Sequence, residues 1–238
     1  MDLNAFLNTL WSAGTPVLPN PAAMRVALHG VWAIVLGSGA LLLAYKLARP
    51  YRLGLSFLLM SWTLVPGSAS PAYWLGLAFQ TPSLTSAVIC LGWFSSHARR
   101  ESGIAVPMAN GQINALKILA GMGVVLGWVL LLDTLALLPV SVYAWGFSSA
   151  AFGTVTVLAT LLWLVWGTAG ADRRAPGLVG PLLILCVLTL FVLTRLPTGN
   201  VWDALIDPWL WAALQMGWLI SVARRLLAGK HLPPATRA

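Results

Sequence analysis

Gly92-Trp93-Phe94-Ser95-Ser96-His97-Ala98-Arg99-Arg100 and Gly217-Trp218-Leu219-Ile220-Ser221-Val222-Ala223-Arg224-Arg225 are two nearly matching stretches, and they decide how this chain is read. Gly, Trp, Ser, Ala and a double Arg recur in register 125 residues apart, and each stretch closes a long uncharged run. In a membrane protein an internal repeat fixes the architecture, and the working site usually lies between the repeats. The register extends upstream, where Pro50-Tyr51-Arg52-Leu53-Gly54 faces Pro176-Gly177-Leu178-Val179-Gly180 at an offset of 126. Both halves also turn through Pro and Gly, at Pro66-Gly67 and at Pro197-Thr198-Gly199. A competing likeness sets Trp74–Gln80 against Trp209–Gln215 at an offset of 135, which the first register allows only with a ten-residue insertion. The plain alternative is that Trp and Arg favour any cytoplasmic helix end.

Composition gives the class. With 59% hydrophobic residues, 8% charged residues and thirteen tryptophans in 238 residues, the chain has more apolar surface than one soluble core can bury. Each membrane crossing takes about 20 apolar residues plus a connection, so length counts helices rather than domains. The gaps between charges place a first span at 26–45, and the uncharged run 53–96 holds two more, turning at Pro66–Pro71. Further spans are expected near 114–135, 140–167, 177–194 and 208–224. The expected fold is therefore an all-α polytopic membrane protein of about seven transmembrane helices with a parallel 3+1+3 internal repeat. Residues 1–23 read as an extracytoplasmic N-terminal segment, with Asn4–Trp11 as a short interfacial helix or a mobile tail, and 24–100 as the first three-helix bundle. Residues 101–138 read as a cytoplasmic loop plus linker helix, 139–226 as the second bundle, and 227–238 as a cytoplasmic tail. The N-terminal segment carries Asp2 and lacks the basic start and apolar core of a secretory signal.

Orientation follows from the basic loops, which stay cytoplasmic. With the N-terminus outside, Lys46, Arg49, Arg52, Arg99, Arg100, Lys117, Arg173, Arg174, Arg224, Arg225, Lys230 and Arg237 all fall inside, against Glu101 and Asp172. Arg25 and Arg195 fall outside, with Asp2, Asp133, Asp203 and Asp207. The expected location is the inner, cytoplasmic membrane, multi-pass, with N-terminus out and C-terminus in. The net charge of +8 thus reflects topology, and no soluble basic face is left for a nucleic acid.

In helix count and order this arrangement resembles the three-plus-one-plus-three transporters such as the SWEET sugar transporters, and the trimeric intracellular cation channels. No motif of either occurs, so no residue roles carry over. Chemistry by metal or cofactor is not expected: His29 and His97 lie at opposite ends of their spans, and Cys90 and Cys186 have no ligand spacing. Gly146-Phe147-Ser148-Ser149 resembles the nucleophile turn of intramembrane serine proteases, but no later span supplies a histidine.

The candidate site lies in the outer half. Asp203 and Asp207 sit four apart at the start of the seventh span, with Asp133 and Arg195 at the same level as helix-end charges, Arg195 pairing with Asp203. Gln80, Thr81, Pro82, Ser83, Thr85 and Ser86 make the third span polar, and Pro82 interrupts its helix. Substrate-binding roles are expected for Gln80, Ser83, Asp203, Asp207, Trp209 and Gln215, lining a polar cavity with Trp209 at its mouth. Such neutral donors and acceptors suit a small polar solute or a lipid headgroup. The expected function is movement of that solute or lipid between the two repeats. A non-catalytic membrane subunit or scaffold, bound to a partner membrane protein or as a homo-oligomer, is the alternative. A lipid-modifying enzyme comes third, since no nucleophile and base can be paired. Gly123 and Gly127 form a close-packing face for an oligomer partner or an internal neighbour.

Overall fold

The computed structural model describes residues 17–99, 110–168 and 179–229, and every regular element among them is a helix. In chain order these are α1 (Pro21–Leu43), α2 (Arg49–Thr63), α3 (Pro71–Phe79), α4 (Leu84–Arg99), α5 (Asn110–Thr134), α6 (Val142–Trp145), α7 (Ser149–Thr168), α8 (Val179–Thr194), α9 (Val201–Leu205) and α10 (Pro208–Gly229). The segment at Asn4–Trp11, the charged positions Glu101 and Asp172–Arg174, and the tail from 230 lie outside the described residues.

Local chemistry sets the helix starts. Asn20, Ser70 and Asp207 each precede a proline, and each side chain accepts backbone N–H groups of the turn that follows: Ala22 at 2.8 Å, Ala72 at 3.1 Å, and both Trp209 and Leu210 at 2.9 Å. The cap satisfies donors that a first turn leaves unpartnered, and proline there has no N–H to lose.

α1 is the centre of the first half and packs against α2, α3 and α4. Small residues bring the backbones together: a side chain on Gly37 would collide with Met60, Ser56 Oγ donates to the Gly37 carbonyl at 2.5 Å, and Ser38 Oγ donates to the Cys90 carbonyl at 3.1 Å. His29 Nδ1 donates to the Thr63 carbonyl at 2.9 Å, tying α1 to the end of α2. At the opposite end Arg49 donates to the Ala98 carbonyl at 2.7 Å, a cation placed where the C-terminal dipole of α4 favours one.

α8 is the hub of the second half and packs against α4, α5, α7 and α9. Its Val187, Leu188 and Phe191 join Leu84, Ala151, Val201, Trp202 and Ala204 in one buried cluster. α5 lies against α10, and Gly123 and Gly127 meet Leu214 and Trp211 of that helix, so their partner is internal. Trp211 Nε1 donates to the Val124 carbonyl at 3.1 Å, and the Trp128 and Trp211 rings meet edge to face at 5.2 Å.

Several expected boundaries move. Pro21–Leu43 and Ile113–Thr134 are long and apolar enough to cross a membrane, whereas Ser149–Val165 and Val179–Thr194 are apolar but shorter. The expected third span is two helices, α3 and α4, broken at Gln80–Ser83. The fifth starts at Ser149 rather than 140, because Ser148 Oγ accepts the Ala151 N–H at 3.1 Å and caps the helix there. Gly146, just before it, has Asn200 and Trp202 pressed where a side chain would stand, so the Gly-Phe-Ser-Ser sequence serves packing and capping. α10 runs to Gly229, into the stretch read as tail.

Gly127→Ala is expected to lower stability by about 1–3 kcal/mol, since the added methyl meets the rigid Trp211 indole rather than a flexible side-chain end. Thermal unfolding in detergent measures it, and an unchanged midpoint would mean that α5 and α10 are not held together at this glycine.

Candidate functional site

Two interrupted helices meet at one carboxylate. Between α3 and α4 the chain leaves the helix at Gln80, which adopts a φ of 61°, and Pro82 supplies no N–H. The freed backbone groups find other partners: Trp32 Nε1 of α1 donates to the Gln80 carbonyl at 2.8 Å, and the Ser83 N–H donates to Asp207 Oδ2 at 2.9 Å. Ser83 Oγ accepts the Ser86 N–H at 3.1 Å, capping α4, and donates to the same Asp207 oxygen at 2.7 Å. Ser86 Oγ adds a third donor to that oxygen at 2.5 Å. Asp207 Oδ1 accepts the N–H groups of Trp209 and Leu210 at the start of α10. Five donors therefore surround a buried carboxylate with about four lone-pair sites, and no lone pair is left for a bound ligand.

Asp203 belongs to a separate network. Its Oδ2 accepts from the Tyr143 hydroxyl at 2.8 Å and from Thr198 Oγ1 at 2.5 Å. Asp133 Oδ2 accepts the Tyr143 N–H at 2.7 Å and a long bond from Ser141 Oγ at 3.4 Å. Burial first, then the neighbouring Asp203 carboxylate, push the Tyr143 phenol well above its ordinary range, so it stays a proton donor. Asn200 Nδ2 donates to the Tyr143 carbonyl and Trp202 Nε1 to the Val142 carbonyl, both at 2.9 Å, which docks α9 on α6.

Of the residues singled out in the sequence, Ser83 and Asp207 come together, while Asp203 sits apart with Tyr143 and Thr198. Gln80 is exposed and contributes its backbone carbonyl. Trp209 stacks edge-on against Phe79 at 4.8 Å, and Gln215 is half-buried on α10. Arg195 does not pair with Asp203; its guanidinium lies 5.5 Å from the centre of the Phe191 ring. Sequence reasoning did not find Trp32, Tyr143 or Asn200 as partners, because they reach the site across 48, 60 and 57 residues of chain.

The prominent cavity lies elsewhere and is apolar. It measures about 560 Å³ and runs between α5, α7 and α10, floored by α8 and α9, with Thr85 and Ile89 entering from α4. Gln80, Ser83, Asp203, Asp207, Trp209 and Gln215 do not line it. Among the described residues no group of three or more His, Cys, Asp or Glu is placed to hold a metal ion. These observations define a helical bundle with paired helix interruptions and an internal apolar cavity. No family model, curated protein or solved structure matches the chain.

Asp207→Asn is expected to lower stability by about 1–3 kcal/mol, because the amide can still cap α10 but then turns an N–H toward the Ser83 N–H, which cannot reverse its role. Thermal unfolding of the variant beside Ser83→Ala checks it. Wild-type stability in Asp207→Asn would show that the carboxylate is not structural.

Proposed function

We propose that the chain is a seven-span membrane protein of two parallel three-helix repeats, joined by α5, which moves a small solute or a membrane lipid along the junction between the repeats. The observation that carries this reading is the shared interruption. At the offset of 125, Ser83, which opens α4, faces Pro208, which opens α10, and both helices are preceded by a short helix and a break. The outer turns correspond in place though not in register, with Gly67 and Gly199, 132 residues apart, at φ of 86° and 87°. Helices broken at matching places in two repeats are a common build for a transport path, because non-helical backbone at membrane depth is tolerated only inside protein or beside a cavity.

Of the two cargoes, the apolar cavity favours the lipid, since Ser83 and Asp207 are bonded to each other and Asp203 is taken up by Tyr143 and Thr198. The subunit reading is second, favoured by the same observation that Asp207 is wholly engaged within the protein. A lipid-modifying enzyme lacks support: Ser83, Ser86 and Ser148 are each spent on capping or on Asp207.

Topology gives the first check. In a background with Cys90 and Cys186 replaced by Ala, single cysteines at the exposed positions Ser68 and Leu137 are expected to react with a membrane-impermeant maleimide added to intact cells, and one at Leu47 only after lysis. The opposite pattern reverses the orientation, and equal reaction of all three removes the membrane reading. Activity gives the second check. Vesicles carrying the protein and a nitrobenzoxadiazole-tagged phospholipid should lose more of the tag to external dithionite than protein-free vesicles do. Equal loss in the two preparations would exclude lipid movement and leave the subunit reading.

A further inference from the structure

We infer that the cavity between α5, α7 and α10 is a binding slot for one hydrocarbon chain of a membrane lipid, entered sideways beside α7. This deepens the proposed function and rests on the reading of the chain as membrane-spanning. The lining is Leu, Ile, Val, Ala and Met with a few hydroxyls and two indoles at one end, Trp145 and Trp202. The Thr85 hydroxyl is already donated to the Ala204 carbonyl at 3.2 Å, and the Trp202 indole to Val142. A dry, apolar space of this kind does not hold water, which needs two to four polar partners.

Dimensions decide the occupant. Along α5 the lining runs from Leu116 to Leu126, roughly 15 Å at 1.5 Å per residue, which is about half the hydrocarbon thickness of a bilayer and so the depth of one leaflet. The volume also lies within the roughly 300–1,000 Å³ of ordinary ligand pockets. Packing leaves the sides of α7 open: α5 and α7 each lie against α8 but make little contact with each other, and α7 makes little with α10.

The comparison between the halves places the slot as well. In the first half α1 packs directly on α4. Their counterparts in the repeat, α7 and α10, are drawn apart, and the slot occupies the gap.

The test uses the full chain in vesicles containing a phosphatidylcholine with a diazirine on one acyl chain. After irradiation, the label is expected on the α5 and α7 peptides that carry Ala120 and Ala159, and on the outward positions Leu55 and Leu58 of α2 as general lipid contact. Filling the slot with Ala120→Phe, and separately with Val155→Phe, should reduce label on the slot peptides about tenfold while α2 labelling holds. Two variants on different helices guard against one failing to fold, and α2 labelling reports an intact bundle. Slot labelling that persists in both folded variants overturns the inference. If tagged lipid crosses the bilayer while filling the slot changes nothing, the slot fails and the transport reading stands. If the slot labels and filling removes the label although no lipid crosses, the slot stands and the transport reading fails.

Discussion

The structure depends on a buried carboxylate held between two helix N-termini. An interrupted helix is unfavourable in an apolar medium because its freed N–H groups have no water to turn to. Here the start of α4 and the start of α10, 124 residues apart in sequence, share one acceptor, Asp207. Each N-terminus carries roughly half a positive charge from its aligned peptides, so the two together balance about one carboxylate. The same five hydrogen bonds fix the position of both helices and join the first half of the chain to the second. Trp32 completes the arrangement from the other side, taking the carbonyl that the break exposes at Gln80.

This arrangement shapes what the protein can bind. Where broken helices aim their N-termini at an empty site, an anionic substrate group can complete them. In this chain the place is filled by its own side chain, and Asp203 is likewise occupied by Tyr143 and Thr198. Ser83, Ser86, Asp203 and Asp207 therefore act as internal fasteners. The cavity of about 560 Å³ beside them is apolar, bordered by the residues that follow Asp207 along α10, Leu210 and Leu214.

The helical class was legible in the sequence, and so were the helix start at Pro208 and the break that the polar run Gln80–Ser86 announces through Pro82. Charge gaps placed the first span at 26 and the fifth at 140, whereas the caps Asn20 and Ser148 set those helix starts at Pro21 and Ser149. The choice of partners was not legible. Ionisable residues at one depth suggested that Arg195 would pair with Asp203, yet Arg195 adopts a φ of 57° and lies over Phe191, while neutral hydroxyls reach Asp203 instead. Depth along a helix can be counted from sequence, but the face a side chain takes depends on how neighbouring helices rotate. The apolar cavity left even less trace, since its leucines and alanines differ in no local way from those that pack.

One pattern joins the repeat to the cavity. Carried back to α1, the register of 125 sets Gly37 and Ser38 against Leu162 and Trp163 of α7. In the first half that small pair is what lets α1 close on its neighbours, Gly37 under Met60 and Ser38 bonded to the backbone of α4 at Cys90. In the second half the equivalent positions carry two large side chains, and Leu162 borders the cavity. A helix presenting Leu and Trp cannot approach its partner as one presenting Gly and Ser does. On the proposed repeat, one framework thus yields a closed bundle and an open one, and the difference lies in side-chain volume at two positions while the interruptions at α4 and α10 stay alike.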